Sequence, residues 1–308
     1  MKIFNTKFLL ISFLAISMLA TLGSCDKEDA VVAGDNLDKL ITDKPELSLF
    51  AAALTKTRLT TFTQGVGPFT IWAPTNAAFN AIGINTATDL NSLDSNLLVQ
   101  ILTYHIQQAN RSFTEIPLGP NATMPTQGGF IQYASRKVGG SAYINGVEVT
   151  EPNIKASNGY LHVINRVLFP AYSTAAATLA AMPNYKLMLQ AITRTATVTT
   201  TNPLTIFAVP NNVMVAAGYD STAIATASGT ALTTLTAIVR YHLVNRRIFS
   251  PDFVAGNLKT VQGTNLVIGT TGGVTVKGTN NPTAFQVTSS DLLTTTGVIH
   301  GINGLLKP

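Results

Sequence analysis

The four histidines are the side chains of this 308-residue chain that are best suited to acid–base catalysis or metal binding near neutral pH. His105 and His242 each follow a tyrosine, and each lies four residues after an isoleucine, which puts the imidazole on the apolar face of a helix. His162 and His300 lie in apolar segments typical of strands. A metal site needs further ligands at suitable spacing, and the sequence supplies none. We therefore expect neutral imidazoles that pack and hydrogen-bond inside the fold.

Other arrangements of catalytic residues are weak in this sequence. No Gly-x-Ser-x-Gly segment could form the nucleophile elbow of a hydrolase. Glu148 and Glu151 are close carboxylates, but the second half of the chain holds no matching pair. Gly272 and Gly273 are typical of a hairpin turn rather than a phosphate-binding loop. We expect no enzyme activity and no cofactor; a hydrolase that uses His105 or His242 would require an open cleft with an acid nearby.

The only cysteine, Cys25, follows an apolar stretch over residues 8–22 that two lysines precede. This pattern predicts a secretory signal peptide over residues 1–24 rather than a membrane span. The sequence Leu-Gly-Ser-Cys resembles a bacterial lipobox, which implies cleavage before Cys25 and its lipidation; the alternative is an inert cysteine after an ordinary signal peptide. The acidic residues 26–29 resemble the surface-export signal of Bacteroidetes lipoproteins, or form a solvated tether over residues 25–34.

Composition limits the classes of protein to which the chain can belong. Hydrophobic residues make up 46% of the chain and charged residues 11%, which indicates a globular protein with a substantial core. With one cysteine, the fold contains no disulfide within the chain. The net charge is +5, but the basic residues are dispersed and only two pairs are adjacent, Arg136-Lys137 and Arg246-Arg247. We therefore expect no nucleic-acid binding.

Three segments of the first half recur in the same order in the second half. Residues 69–76 match residues 204–211, and the Tyr104-His105 pair matches Tyr241-His242. Residues 153–170 match residues 291–308 without a gap. This repetition indicates a tandem duplication of one domain, and each copy is long enough to bury its own core. The linker between the copies is short, so we expect the two domains to touch.

Within each copy, helical patterns come first and strand patterns follow. In the first copy, residues 36–57 have helical periodicity interrupted by Pro45, and an apolar run that begins at Phe69 predicts a buried strand. Thr75 or Asn76 is suited to cap the next helix, with Phe79 and Ile82 on its inner face. Further helices are predicted over residues 94–106, with Leu97 among the apolar positions, and over residues 230–244. Short strands separated by glycine turns predict an α+β domain built on an antiparallel β-sandwich.

The repeated segments resemble the signature of the fasciclin-domain family. The segment from Thr70 to Phe79 is similar to its first motif, Tyr104-His105 to its central pair, and the segment from Gly159 to Pro170 to its closing motif. The second copy departs from these motifs by a shifted proline at Pro210 and by Met214, Gly301 and Gly304. The resemblance implies two wedge-shaped β-sandwich domains flanked by helices, over residues 35–171 and 172–308, and an extracellular adhesion or interaction role without a cofactor.

The resemblance also implies candidate contacts with a partner, because family members from animals are known to bind receptors around the Tyr-His pair and a segment before the closing motif. In this chain that segment contains Asn153 in the first copy and Asp291 in the second, so only the second copy keeps the acid. These residues also suit a turn that starts a strand, which is the interpretation we favour. The candidate partner-binding residues are Tyr104, His105, Tyr241, His242, Asn153, Ile154, Asp291 and Leu292.

Together these features predict a non-catalytic adhesion or interaction protein, anchored by lipid at Cys25 in an outer membrane and facing the exterior or the periplasm. The expected partner is a polysaccharide, a matrix protein or a cell-surface protein, and only the lipid contacts the membrane. The alternative is a glycan-binding accessory lipoprotein of an outer-membrane polysaccharide uptake system. That alternative would need an exposed aromatic platform, and the single Trp72 is predicted to lie in a core strand.

Overall fold

The computed structural model describes residues 34–197 and 203–308. The predicted signal peptide and Cys25 lie outside the described residues. From Gly34 to Pro308 the chain forms one compact unit. Both copies of the repeat lie within this unit, so each can be compared with the other.

In the first domain, polar side chains start the helices where the sequence predicts them. Asn36 caps the first helix by accepting a hydrogen bond from the Lys39 amide, and Asp94 caps the fifth in the same way from Leu97. The helices are α1 Leu37–Thr42, α2 Ser48–Lys56, α3 Thr60–Gln64, α4 Asn76–Asn80 and α5 Ser95–Tyr104. The strands are β1 Phe69–Pro74, β2 Ile106–Gln107, β3 Gly119–Pro125, β4 Ile131–Arg136, β5 Ala142–Ile144, β6 Val147–Ala156 and β7 Gly159–Ile164.

The second domain repeats this order of elements. Its first helix is capped by Thr174, which accepts a hydrogen bond from the Ala177 amide. The helices are α6 Ala175–Ala181, α7 Lys186–Arg194, α8 Asn211–Ala216, α9 Ser221–Thr226 and α10 Gly229–Tyr241. The strands are β8 Leu204–Ala208, β9 Leu243–Val244, β10 Gly256–Lys259, β11 Asn265–Gly269, β12 Thr275–Lys277, β13 Phe285–Thr294 and β14 Gly297–Ile302.

Each domain contains one seven-stranded mixed sheet, which confirms the predicted α+β class. The strand order is β2-β1-β7-β6-β5-β4-β3 in the first domain, and β9-β8-β14-β13-β12-β11-β10 in the second. The antiparallel expectation holds for every neighbouring pair except one in each domain. The first long strand and the last, β1 with β7 and β8 with β14, run parallel. The chain therefore closes each domain by returning its last strand beside its first.

A glycine permits this parallel pairing to start in each domain. Gly159 has a φ of 149°, and Gly297 has a φ of 148°. A Cβ atom at Gly159 would lie 1.8 Å from the Phe69 carbonyl oxygen, and one at Gly297 would lie 1.9 Å from the Leu204 carbonyl oxygen. Only glycine combines this backbone conformation with so close an approach of the neighbouring strand.

The buried apolar side chains form separate cores in the two halves. In the first domain, one cluster lies between the helices and the sheet, and a second surrounds Trp72 and Tyr104. In the second domain, one cluster extends from Ala175 to Leu306. Among the described residues, no cluster combines side chains from both halves. Each copy therefore builds its own interior, as the duplication predicts.

Some details of the sequence interpretation are wrong at the ends of helices. α4 already ends at Asn80, so Ile82 lies beyond it and is 42% exposed, while Ile84 is buried. Leu97 is 39% exposed because it lies in the first turn of α5, outside the buried face. The helix predicted over residues 230–244 ends at Tyr241, and the two residues after His242 form the edge strand β9.

Candidate functional site

His105 joins the end of α5 to the segment that follows the last strand of the first domain. Its ring is fully buried. Nδ1 lies 2.7 Å from the carbonyl oxygen of Ile101, and Nε2 lies 2.9 Å from the amide nitrogen of Leu168. The Leu168 amide can only donate, so Nε2 is the acceptor and Nδ1 carries the proton that is donated to Ile101. We call this pair of bonds the closing clamp.

The second domain contains the same closing clamp. His242 is fully buried, its Nδ1 lies 2.8 Å from the Ile238 carbonyl oxygen, and its Nε2 accepts a hydrogen bond of 3.0 Å from the Leu306 amide. Burial disfavours the charged imidazolium and lowers the pKa of both His105 and His242 to about 4. Both rings are therefore neutral at physiological pH, the only state in which Nε2 can accept the backbone bond.

The tyrosine before each of these histidines ties the helix to the far part of the sheet. The Tyr104 hydroxyl donates to the Ile131 carbonyl at 2.9 Å and accepts a hydrogen bond from the Asn145 amide group at 2.7 Å. Burial raises the pKa of Tyr104. The Tyr241 hydroxyl donates to the Asn265 carbonyl at 2.7 Å and accepts from the Thr279 amide at 3.0 Å. Both side chains are fully buried.

The second histidine of each domain holds a β-bulge in the neighbouring strand. His162 Nδ1 accepts from the Asn153 amide at 3.3 Å, and its Nε2 donates to the Arg111 carbonyl at 2.9 Å. Asn153 lies at a register shift between β6 and β7 and has a φ of 64°. In the second domain, His300 Nδ1 accepts from the Asp291 amide at 3.3 Å, and its Nε2 donates to the Ile248 carbonyl at 2.9 Å. Asp291 has a φ of 66°. Burial lowers the pKa of both His162 and His300.

The side chain at each bulge caps a short 3₁₀ turn. Asn153 Oδ1 accepts from the Phe113 amide at 2.6 Å, and Asp291 Oδ1 accepts from the Ser250 amide at 2.6 Å. Asp291 Oδ2 also accepts from the Ser250 hydroxyl at 2.5 Å. Asparagine and aspartate suit this position, since they tolerate a positive φ and bond to nearby backbone.

The predicted partner-binding residues differ in how far a partner could reach them. Tyr104, His105, Tyr241 and His242 are fully buried, so binding through them stays a prediction that would require the helix end to open. Asn153 is exposed, Ile154 is half-buried, and Leu292 is 40% exposed. The Asp291 side chain is only 1% exposed and is bonded to neighbouring groups, so a receptor-bound metal ion cannot reach its carboxylate in this structure.

The Asp291 carboxylate also takes part in the contact between the two domains, which we call the joint. Arg166 of the first domain places Nη2 at 3.3 Å from Asp291 Oδ2. The Ser135 hydroxyl donates to Asp252 at 2.7 Å, and burial raises the pKa of Asp252. The Arg247 guanidinium lies 3.8 Å from the centre of the Tyr133 ring, a cation–π contact. The domains therefore meet, as predicted, and the joint includes an ion pair, a hydrogen bond and a cation–π contact.

Sequence reasoning missed the role of two repeated asparagines that position these elements. Asn76 does not cap α4, which Thr75 caps; instead its Oδ1 accepts from the Leu49 amide, and its Nδ2 donates to the Pro45 carbonyl. Asn211 repeats both bonds in the second domain, at 3.0 Å and 2.8 Å. The signal was available, since the asparagine is kept in both copies although the residues before it differ.

The described residues also bear on metal binding and on membrane-spanning helices. Across residues 34–197 and 203–308, no three histidine, cysteine or acidic side chains are grouped so that they could hold a metal ion. In the same part of the chain, no helix combines the length and the apolar character that crossing a bilayer requires.

Comparison with known proteins identifies a family for both halves of the chain. The sequence model described as Fasciclin domain matches residues 45–170 and again residues 181–308. The chain is 32% identical to Protein sll1483 of Synechocystis over 124 residues, which are 40% of this chain and 67% of that protein. It is 27% identical to the Fasciclin-like arabinogalactan protein of Arthroderma benhamiae over 292 residues, which are 87% of this chain and 65% of that protein. The chain thus spans about two thirds of these relatives.

Among solved structures, the chain is similar to a FAS1 domain pair from the insect cell adhesion molecule Fasciclin I. The identity is 21% and the TM-score is 0.40, with 88% of this chain and 95% of that chain covered.

The buried histidines predict that stability falls on acidification. The pKa values of His105 and His242 are about 4 in the folded state and 6.5 for the ordinary side chain, so the unfolded chain binds more protons between these values. The contribution of these neutral histidines to the free energy of unfolding should therefore be fully present above pH 6.5. It should fall as the pH is lowered towards 4, by up to about 1.4 kcal/mol per pH unit for each ring. Urea unfolding at a series of pH values measures this slope.

The variants His105→Gln and His242→Gln separate this effect from carboxylate titration. Each variant should be less stable at pH 7, because the clamp is weakened, yet show a shallower slope between pH 6.5 and 4. The double variant should have the shallowest slope. An unchanged slope in the double variant would show that these rings do not control the acid response.

The joint predicts unequal effects of reciprocal substitutions at the two bulges. Asp291→Asn keeps an oxygen for the Ser250 amide but removes the charge that pairs with Arg166, so we expect a loss of about 1–2 kcal/mol in the free energy of unfolding. Asn153→Asp is the matched control, since it makes the reverse change at an exposed bulge that no described arginine pairs with, and should shift stability by less than about 0.5 kcal/mol. Calorimetric unfolding of both variants measures the difference. Equal shifts would contradict a role for the ion pair.

Proposed function

Because the chain belongs to the fasciclin-domain family, with one domain in each half, we propose that it is a non-catalytic adhesion or interaction protein of the cell surface. It binds an extracellular macromolecule, which is a polysaccharide, a matrix protein or a protein of another cell. The membrane is contacted through a lipid anchor, and nucleic acid is not a partner.

One observation carries the non-catalytic part of this proposal. All four histidines and the tyrosine of each Tyr-His pair are buried, and each of these side chains bonds to backbone groups of its own domain. A general base or nucleophile must reach its substrate within hydrogen-bond distance. These side chains instead fix helix ends, closing segments and bulges, which leaves recognition to the exposed surface.

The tandem arrangement suits binding to a repetitive partner. The joint holds the two domains together through Arg166–Asp291 and Ser135–Asp252 contacts. Two modules in a fixed arrangement on one tether raise the effective concentration for a second contact with a polymer. The predicted lipid on Cys25 would also concentrate many copies of the protein on one membrane surface, which would raise the number of simultaneous contacts with the polymer.

A binding experiment tests the proposed function. The chain from Asp26 onward, which contains the whole compact unit, is applied to an array of polysaccharides and matrix proteins. We expect saturable binding to one class of polymer without its cleavage, measured by biolayer interferometry and by product analysis. Cleavage of the bound polymer that His105→Ala abolishes in a folded variant would overturn the non-catalytic assignment. Absence of saturable binding to every polymer class would contradict the interaction role.

The lipid anchor is tested by Cys25→Ser in the full chain, expressed in a bacterium that processes lipoproteins. The substitution removes the thiol that would form the thioether, so the protein should move from the membrane fraction to the soluble fraction. Ser24→Ala is the matched control and should stay with the membrane. Fractionation and mass spectrometry of the N-terminal peptide provide the measurement. Equal membrane retention of both variants would argue against acylation at Cys25.

A further inference from the structure

A cleft of about 440 Å³ lies between the two domains beside the joint. Both domains line it. Glu148, Asn165 and Arg166 come from the first domain, while Pro251, Val274 and Val287 come from the second. We propose that this cleft binds a neutral oligosaccharide, an inference that rests on the proposed function and specifies the class of its partner.

The wall from the first domain offers hydrogen-bonding groups that are not used within the fold. Glu148 is half-buried and Asn165 is exposed. Among the described residues, no hydrogen bond involves either of these side chains. Arg166 donates through Nη2 to the Gly146 carbonyl and to Asp291, and its Nε and Nη1 make no bond to a described residue. The wall thus combines a free carboxylate acceptor with free amide and guanidinium donors.

The wall from the second domain combines aliphatic side chains with the serines Ser250 and Ser290. Pro251, Val274 and Val287 are half-buried and present carbon surface to the cleft. The cleft therefore offers both hydrogen-bonding groups and carbon surface, with the Arg166–Asp291 ion pair beside it. Its size is within the range of about 300–1,000 Å³ that is usual for ligand pockets, and pockets are frequent at domain interfaces.

A sugar ring matches this mixed lining. Its hydroxyl groups both donate and accept hydrogen bonds around the rim, while its C–H groups form apolar faces that pack on aliphatic side chains. A carboxylate beside an amide can bond to neighbouring hydroxyls, one as acceptor and the other as donor. The two charged residues that line the cleft, Glu148 and Arg166, have opposite signs, which favours a neutral sugar over an acidic or sulfated one.

The joint holds the two walls in place before a ligand arrives. The bonds Ser135–Asp252 and Asn121–Arg247 connect the domains at 2.7 Å and 2.9 Å, in addition to the Arg166–Asp291 pair. A preformed cleft loses less conformational entropy on binding than one that must close around its ligand. Trp72 is fully buried and cannot serve as a stacking platform, so sugar binding must use another surface.

The experiment measures the affinity of four variants for defined sugars. The chain from Asp26 onward is titrated with neutral hexasaccharides of glucose, mannose, xylose and galactose, and with polygalacturonate and sulfated hexasaccharides. Glu148→Gln should weaken binding of the preferred neutral sugar about 10-fold or more, and Asn165→Ala about 3-fold or more. The matched controls are Glu151→Gln on the same strand, where Glu151 pairs with Lys44 away from the cleft, and Asn96→Ala on the exposed face of α5. Both controls should bind within about 2-fold of the unchanged chain.

The outcomes separate this inference from the proposed function. Saturable binding of a neutral hexasaccharide that only the two cleft variants weaken supports the cleft. Binding that all four variants share equally overturns the cleft site and leaves the interaction role intact. Preference for the acidic or sulfated sugars, or for a matrix protein alone, overturns the neutral-sugar assignment. Failure to bind any of these sugars overturns the neutral-sugar assignment, and failure to bind the array of polysaccharides and matrix proteins as well contradicts both proposals. Urea unfolding of each variant confirms that the fold is kept.

Discussion

The constraint on which each domain depends is that a fully buried imidazole must find one backbone acceptor and one backbone donor. His105 and His242 take the acceptor from their own helix, four residues earlier, and the donor from the segment after the last strand. A buried polar group left without a partner costs about 1–3 kcal/mol. Breaking the hydrogen bond to either segment therefore lowers the stability of the domain. In each domain this bond pair holds the segment after the last strand against the end of the helix, and so helps to keep the last strand beside the first.

The same demand explains why the residues that suit chemistry are occupied by structural hydrogen bonds in this fold. The second histidine of each domain completes its bonds with a bulge amide and a distant carbonyl, and the bulge side chain then caps the 3₁₀ turn. Each step uses the hydrogen-bonding capacity of a residue that would otherwise attract a catalytic interpretation. The structural role is repeated in both domains, whereas the surfaces around it differ. Recognition is therefore best sought where the copies differ, and the cleft is such a place.

How much could be predicted from the sequence depended on whether the cause was local. The duplication, the buried Phe69 strand and the caps at Thr75 and Asp94 follow from patterns over a few residues, and the structure confirms them. The parallel pairing could not be predicted, because it joins strands far apart in the chain and its only local trace is a glycine at the start of the last strand. The sequence places Ile82 on the inner face of α4, because the apolar spacing from Phe79 to Ile82 continues beyond Asn80, where the helix ends. The joint could not be predicted either. In the sequence Asp291 is only the counterpart of Asn153, and its partner Arg166 lies far away along the chain.

The asymmetry between the copies explains the joint itself. In the gapless match of the closing segments, Arg166 corresponds to Gly304 and Asp291 corresponds to Asn153. The joint is a head-to-tail contact, because each domain contributes a different surface, and such contacts extend into chains of molecules when both outer surfaces stay complementary. The two charges of this ion pair come from the surfaces that meet within the joint, whereas the equivalent positions are Asn153, which is exposed and uncharged, and Gly304, which is buried against Phe285. The sequence thus allows this ion pair within the joint, while the equivalent positions, Asn153 and Gly304, provide neither of its two charges.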